Sequence, residues 1–394
     1  MARIDRFVCA LRHVQDLVLL CLIVAALVAA RDDSGGVDPR PAIGFHLGQS
    51  YGTAAAHLAN GTVIELAKVD GSPAYRAFMQ HELLRQQDSD LFAAPARTPA
   101  TRAQLAWLLN EYLGFEDEAQ VLAVMLRALR TASEEALGAE PLPATVVLGA
   151  PYMRAWQDEE TSDRSIVARA RRLAGLPHIQ VQNMDPVYLA EAHAVLAANG
   201  QELCQHRRCY GPMLSEQDPF RREVIYLISL TDQSLYTSFQ LATCYFLTPV
   251  GGRLGTINPD FGLRKQDHTS NRDGDFWHEF EEYVVARWVD HAADGDNYRG
   301  SYTVLLAGEG ADDADFQRAV GKAMARIAVG SPDAERETGP PPRVSLLVSQ
   351  DPSFAAARGV ALWRRTMMDG KYCADFDEPA GWEEDEGDVY RDEL

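Results

Sequence analysis

Ala42 to Thr53 reads A-I-G-F-H-L-G-Q-S-Y-G-T, and this stretch decides the fold. An apolar, β-forming run enters a glycine-bearing turn, and a second β-like run, Thr53 to Leu58, leaves it. A turn of this kind aims backbone N–H groups at one concave spot, which is how a hairpin holds phosphate oxygens. Any glycine-bearing hairpin has the same look. The weight of the motif therefore comes from its company farther along the chain.

Many of the later segments have matching shape. Val224 to Leu230 is a continuous apolar run, as in a strand buried on both faces. It opens a second strand–turn–strand, Ile228 to Thr237, I-S-L-T-D-Q-S-L-Y-T. A strand from Tyr302 to Ala307 ends in Gly308-Glu309-Gly310-Ala311, ahead of a helix from about Asp313 to Val329. Apolar spacing predicts further helices over Tyr75–Arg85, Thr101–Tyr112, Asp117–Leu137, Thr161–Leu173 and Asp275–His291. Strands are expected at Ala144–Leu148, Ile179–Gln182 and Arg343–Val348, with a closing small-residue helix over Asp351–Ala361. Asp185-Pro186 precedes an Ala-rich helix, where Asp as N-cap and Pro at the first helical position are a sufficient structural reason for both. Trp277 to Glu282 brings a His together with several Glu, and reads as the exposed face of an acidic amphipathic helix.

The order and spacing of these segments resemble the nucleotide-binding domain of the heat shock protein 70 family. Ile43, Gly44, Leu47, Gly48 and Tyr51 match that family's first phosphate loop, I-G-I-D-L-G-T-T-Y-S. Ala174-Gly175-Leu176, Gly251-Gly252-Arg253-Leu254-Gly255 and the Ala/Gly segment after Asp351 match later family elements in order. The resemblance implies an α/β chain with a bilobal actin-like ATPase (ribonuclease H-like) fold, two lobes around a nucleotide cleft. The first lobe would span residues 41–200, a hydrophilic connector 201–222, and the second lobe 223–372. Nucleotide contacts would fall on Gly48, Gln49, Ser50 and Tyr51, on Thr231, Asp232 and Gln233, and on Gly308, Glu309 and Gly310. No counterpart of the family's substrate-binding domain is expected after the second lobe.

The departures from the family pattern matter as much. Magnesium takes oxygen ligands and keeps several waters, which carboxylates hold. The family's three acidic positions are occupied here by His46, Ser229 and Tyr236, and the glycines of its second phosphate hairpin by Thr231, Asp232 and Gln233. Asp185 is the nearest counterpart of the Glu in the family's N-E-P-T-A-A-A, with an extra residue between. Side chains at Thr231 and Gln233 would crowd a phosphate. Asp232 at about 4 Å from one would repel it by up to about 4 kcal/mol at an effective dielectric of 20. The expectation is a pseudo-ATPase that binds ATP or ADP weakly or binds a protein partner, without a magnesium site. The rival expectation is a slow, chaperone-related ATPase that recruits Asp185, Asp232 or Glu309.

Composition and the two ends place the chain in the secretory pathway. With 394 residues there is ample length for a large core, and a formal charge of −20 argues against a nucleic-acid groove or an anionic membrane as partner. Arg3, Arg6 and Arg12 precede an apolar run, Leu17 to Ala30, that ends in Val28-Ala29-Ala30. At 1.5 Å per residue this run makes about 21 Å of helix, short of a bilayer core, so residues 1–30 read as a signal peptide, with a membrane-embedded signal anchor as the alternative. Arg391-Asp392-Glu393-Leu394 resembles the retrieval tetrapeptide of the endoplasmic reticulum lumen. Asn60-Gly61-Thr62 is a glycosylation sequon at an expected hairpin tip. Cys204 and Cys209 could close a short loop in an oxidising compartment or remain thiols. Residues 373–394 form an acidic tail.

Overall fold

In the computed structural model each half of the chain is built outward from one hairpin. The structure describes residues 38–87, 117–139, 141–142, 146–153, 156, 165–176, 188–200, 223–241, 255–266, 273–293, 301–329 and 343–369. In the first half, β1 (Ala42–Leu47) pairs antiparallel with β2 (Tyr51–His57), and β2 with β3 (Val63–Asp70). On its other side β1 runs parallel to β4 (Val146–Ala150), and β4 to β5 (Leu189–Ala190). In the second half, β6 (Glu223–Leu230) pairs antiparallel with β7 (Leu235–Leu241), and β7 with β8 (Thr256–Asn258). There β6 runs parallel to β9 (Ser301–Ala307), and β9 to β10 (Arg343–Val348). The sheet orders are β3-β2-β1-β4-β5 and β10-β9-β6-β7-β8. Taken from opposite ends these are one plan used twice, in a chain of mixed α/β class.

The helices are α1 (Pro73–Gln87), α2 (Glu118–Leu137), α3 (Ile166–Leu173), α4 (Glu191–Ala198), α5 (Leu263–Gln266), α6 (Asp273–Ala293), α7 (Ala314–Val329) and α8 (Pro352–Met368). Local chemistry explains their ends. Asp117 caps α2 by accepting from the N–H groups of Ala119 and Gln120 at 2.7 and 3.2 Å, and Gly138 closes it at φ 62°. Ser165 caps α3 by accepting from the Ala168 N–H at 3.0 Å. The helix expected from Thr161 therefore starts at Ile166, with 161–164 outside the described residues.

The two cores are filled differently. On the first sheet, α8 lies so close that a Cβ on Gly44 would stand 2.4 Å from the Ala361 nitrogen. Where α8 crosses α4, a Cβ on Gly359 would stand 1.7 Å from the Ala194 carbonyl oxygen. Small residues let these backbones touch. The second sheet is instead covered by rings. Tyr226 and Phe239 stack with centroids 4.2 Å apart, His291 stacks on Phe239 at 4.1 Å, and Phe280 meets Phe316 edge-on at 5.4 Å.

Two surface features of the sequence find their places. Asn60 is exposed between β2 and β3, its Oδ1 accepting from the Thr62 N–H at 2.9 Å. Around Trp277–Glu282, the Trp277 ring packs on Phe276 and Phe280, while Glu281 and Glu282 pair with Arg326 at 2.9 and 2.6 Å. This is a helix with an apolar face and a salt-bridged one. The leader, the helix read at 101–112, the strand read at 179–182, Asp185, Cys204, Cys209, Gly251–Gly255 apart from Gly255 itself, and the acidic tail lie outside the described residues.

Candidate functional site

The β1–β2 and β6–β7 turns face each other, and the 308–310 loop joins them. Each turn is four residues closed by one backbone bond: Gly48 N–H to the Tyr51 carbonyl at 2.8 Å, and Thr231 N–H to the Ser234 carbonyl at 3.0 Å. Register makes the two hairpins superposable residue by residue. Leu47 lies opposite Gly52 as Leu230 lies opposite Leu235, so His46 and Ser229 hold matching places.

One amide ties the turns together. The Gln49 Nε2 donates to the Ser229 carbonyl at 3.1 Å and stands 3.2 Å from its hydroxyl oxygen. The Ser234 hydroxyl donates to Gln49 Oε1 at 2.8 Å, and the Ser229 hydroxyl donates to Glu191 Oε1 at 2.9 Å. All four side chains are buried. Hydrogen bonds in series within a low-dielectric interior reinforce one another, so this chain couples β1–β2, β6–β7 and α4.

The second turn uses its own N–H groups. Thr231 Oγ1 accepts from the N–H groups of Gln233 and Ser234, each at 3.3 Å, and donates to the Ser234 carbonyl at 3.1 Å. The remaining N–H, that of Asp232, donates to Glu309 Oε2 at 3.2 Å. The Asp232 carboxylate is turned to Arg264, its Oδ2 accepting from Nε at 3.0 Å. Thr231, too, folds back into its own turn instead of crowding the space ahead of it.

Glu309 is placed by its loop. Gly308 sits at φ 84°, and a Cβ there would stand 2.2 Å from the Leu230 carbonyl oxygen, so only glycine fits. Gly310 packs against the Leu230 side chain. From this perch the Glu309 carboxylate reaches Lys68 Nζ of β3 at 2.8 Å, while the Ser50 hydroxyl stands 3.5 Å away. Tyr51 is buried, with the Lys68 ammonium 4.9 Å from its ring centroid.

Deeper in, His46 and Glu191 face each other without a hydrogen bond. His46 Nε2 stands 3.9 Å from Glu191 Oε2. Among the described residues neither of those atoms, nor His46 Nδ1, has a hydrogen-bond partner. Burial lowers the His46 imidazole to about 3 and raises the Glu191 carboxyl to about 7, the Ser229 hydrogen bond opposing the latter. His193, two residues on, is lowered by burial to about 4. Tyr236 is buried beside this pair, its hydroxyl held protonated by burial and by the nearby Glu191.

Of the residues singled out from sequence, Gln49, Ser50, Ser229, Thr231, Asp232 and Glu309 are joined by hydrogen bonds. Gly48 and Tyr51 shape the first turn, and Gly308 and Gly310 the third. Sequence reasoning missed Glu191, Lys68 and Ser234. Glu191 carried little signal, since an acidic residue in the first turn of a helix is expected from the helix dipole alone. Lys68 had none, since a lysine on an exposed edge strand looks like any other. No family model matches the chain, and a search of curated proteins returned no relative.

Proposed function

We propose that this protein is an actin-like, bilobal relative of the heat shock protein 70 nucleotide-binding domain that works by binding and not by hydrolysing ATP. Two sheets of the same order, each opening with a hairpin turned toward the other, support the fold part of this reading. The observation that supports the functional part is the second turn. Its N–H groups, which would hold phosphate oxygens, are engaged by Thr231 Oγ1 and by the Glu309 carboxylate.

The residues at the family's acidic positions do not fit a hydrated magnesium ion. His46 is neutral and buried, Ser229 is committed to Gln49 and Glu191, and Tyr236 is a buried, protonated phenol. A neutral imidazole, a hydroxyl and a phenol do not replace carboxylates in a magnesium water shell. The facing turns instead serve as a joint between the two sheets. A partner protein or a nucleotide bound without turnover would act by changing how that joint closes.

Glu191 is what favours the rival reading of a slow ATPase, because it is a carboxyl within the joint. Calorimetric titration with Mg-ATP, run beside a phosphate-release assay, separates the two. The expected result is weak or no binding, unchanged by magnesium, and no release above the no-protein rate. Release that disappears in Glu191→Gln or Asp185→Asn would overturn the proposal.

A further inference from the structure

Four strands lie at the edges of the two sheets, and three of them carry features that keep an edge from pairing with another chain. β3 has charges along it, with Glu65 3.4 Å from Arg358 and Lys68 2.8 Å from Glu309, and its register with β2 slips at Ala54/Ala55. β5 is two residues long, and β8 is three residues long with α1 packed beside it. β10 has none of these protections. It is six residues, Arg-Val-Ser-Leu-Leu-Val, with no proline and its one charge in first place. Among the described residues β9 is its only hydrogen-bonded neighbour, so the other edge of its backbone still offers N–H and C=O groups.

The side chains of β10 fit the same reading. Val344 and Val348 pack toward the ring-filled core, and Leu347 toward the other. Ser345 is occupied with Thr303 of β9, their hydroxyl oxygens 3.0 Å apart. Leu346 falls on the face of Val344 and Val348, because side chains alternate along a strand, yet it is 40% exposed. An exposed leucine thus sits in the middle of an unprotected edge.

Charge selects the occupant. Arg343 opens the strand, and the exposed Asp351 follows its end by three residues, beside Glu65. A strand laid antiparallel along this edge should bring a cation to the Asp351 end and an anion to the Arg343 end. A second copy of β10 brings both. A two-fold axis perpendicular to the sheet keeps the faces of the two strands matched. With that axis at Leu346, the leucine meets its own copy and Val344 meets Val348. Arg343 then lies opposite Ser349 of the second copy, two positions from its Asp351, a diagonal that a long side chain spans. Repulsion between two chains of charge −20 is screened beyond about 8 Å at physiological salt.

We propose that β10 is a self-association edge, through which two copies of the chain pair antiparallel about a two-fold axis at Leu346 to make one continuous sheet. The pairing satisfies the outward backbone groups of both strands and buries each Leu346 against the other. It goes beyond the proposed function and does not depend on it.

Sedimentation velocity of the full chain over a concentration series tests this. The expected result is a monomer–dimer equilibrium that Leu346→Lys weakens by about tenfold or more, since a charge at an edge opposes pairing. The position is exposed, so the variant should fold. Arg343→Asp should weaken the dimer too, and adding Asp351→Arg to it should restore association. Oxidation reads the register. Opposed residues of antiparallel strands have Cα atoms roughly 4.5–5.5 Å apart, within the span of a disulfide. Leu346→Cys should therefore form a covalent dimer that the unaltered chain, with its own cysteines, does not. A chain that stays monomeric up to about 100 μM overturns the proposal. So does dimerisation that Leu346→Lys leaves unchanged, or a folded Leu346→Cys variant with no more covalent dimer than the unaltered chain. Phosphate release from ATP would sink the proposed function and leave these measurements untouched.

Discussion

The two hairpins that face each other have turns of the same length, register and closing bond, and differ in how they are held. In the first, Gly44 lies against the backbone of α8 and glycine occupies the turn at position 48. In the second, the matching places are Leu227, a fully buried side chain, and Thr231. A glycine hairpin is held from outside, by a helix backbone that its missing side chain admits. A threonine hairpin is held from inside, by a hydroxyl that collects the turn's own N–H groups. The same shape therefore has opposite consequences for a ligand, because the second turn has already used the donors that an anion would need.

Substitutions can break that comparison. The largest expected effect is at Gly44→Val, whose Cβ would stand 2.4 Å from the Ala361 nitrogen and 2.7 Å from the Ala357 carbonyl oxygen. Backbone atoms of a packed helix cannot step aside, so a loss of about 3 kcal/mol or more is expected in urea unfolding. Leu227→Val at the matching place should cost only about 1 kcal/mol, as one buried methylene. Similar losses at both positions would mean that the hairpins are packed alike after all.

Thr231→Val comes next. It keeps the volume and deletes the hydroxyl, leaving the N–H groups of Gln233 and Ser234 without their acceptor. A cost of about 1–2 kcal/mol is expected by the same measurement. If stability is unchanged, the turn is not held from inside, and the contrast with the first hairpin fails.

The last effect is a slope with pH, because two buried groups that face each other, Glu191 and His46, respond in opposite directions. Glu191, hydrogen-bonded to Ser229, has its carboxyl raised from 4.5 to about 7. The folded chain thus holds a proton that the unfolded chain releases, and this contribution to stability is lost as pH rises from about 4.5 through 7. His46 is lowered from 6.5 to about 3 and His193 to about 4, so their contribution is present above 6.5 and is lost as pH falls. Between pH 4.5 and 6.5 the two trends work against each other. Below that window stability should fall with acid, and just above it with alkali. Glu191→Gln should remove the alkaline fall and leave the acid one. A Gln variant whose pH curve overlays that of the unaltered chain would show that Glu191 does not titrate in the fold.

Much of the fold could be read from particular residues. The run at Val224–Leu230, apolar but for Ser229, became a central strand flanked on both sides. Asp117 and Gly138 bracket α2 because a side-chain acceptor and a left-handed residue are what helix ends need. The turn residues at 48–51 and 231–234 were legible for the same local reason. Where the Asp232 carboxylate turns was not legible, because Arg264, which holds it at 3.0 Å, lies 32 positions away in sequence. Nor could sequence pair Lys68 with Glu309, which are brought together only when β3 and the 308–310 loop meet at the joint.

Sequence alone determined the local pieces: which stretches form strands and helices, and which turns carry glycine. Those come from backbone preferences and from residue identity, which act over a few neighbours. Tertiary structure decided who satisfies whom. Only when distant segments were packed together did Gln49 bridge two hairpins, Glu191 meet His46 without solvent, and Glu309 take the donors of another turn. Buried hydrogen-bond donors and charges must find partners among the groups packed against them, and which partners lie within about 3 Å is fixed by packing and not by any stretch of chain.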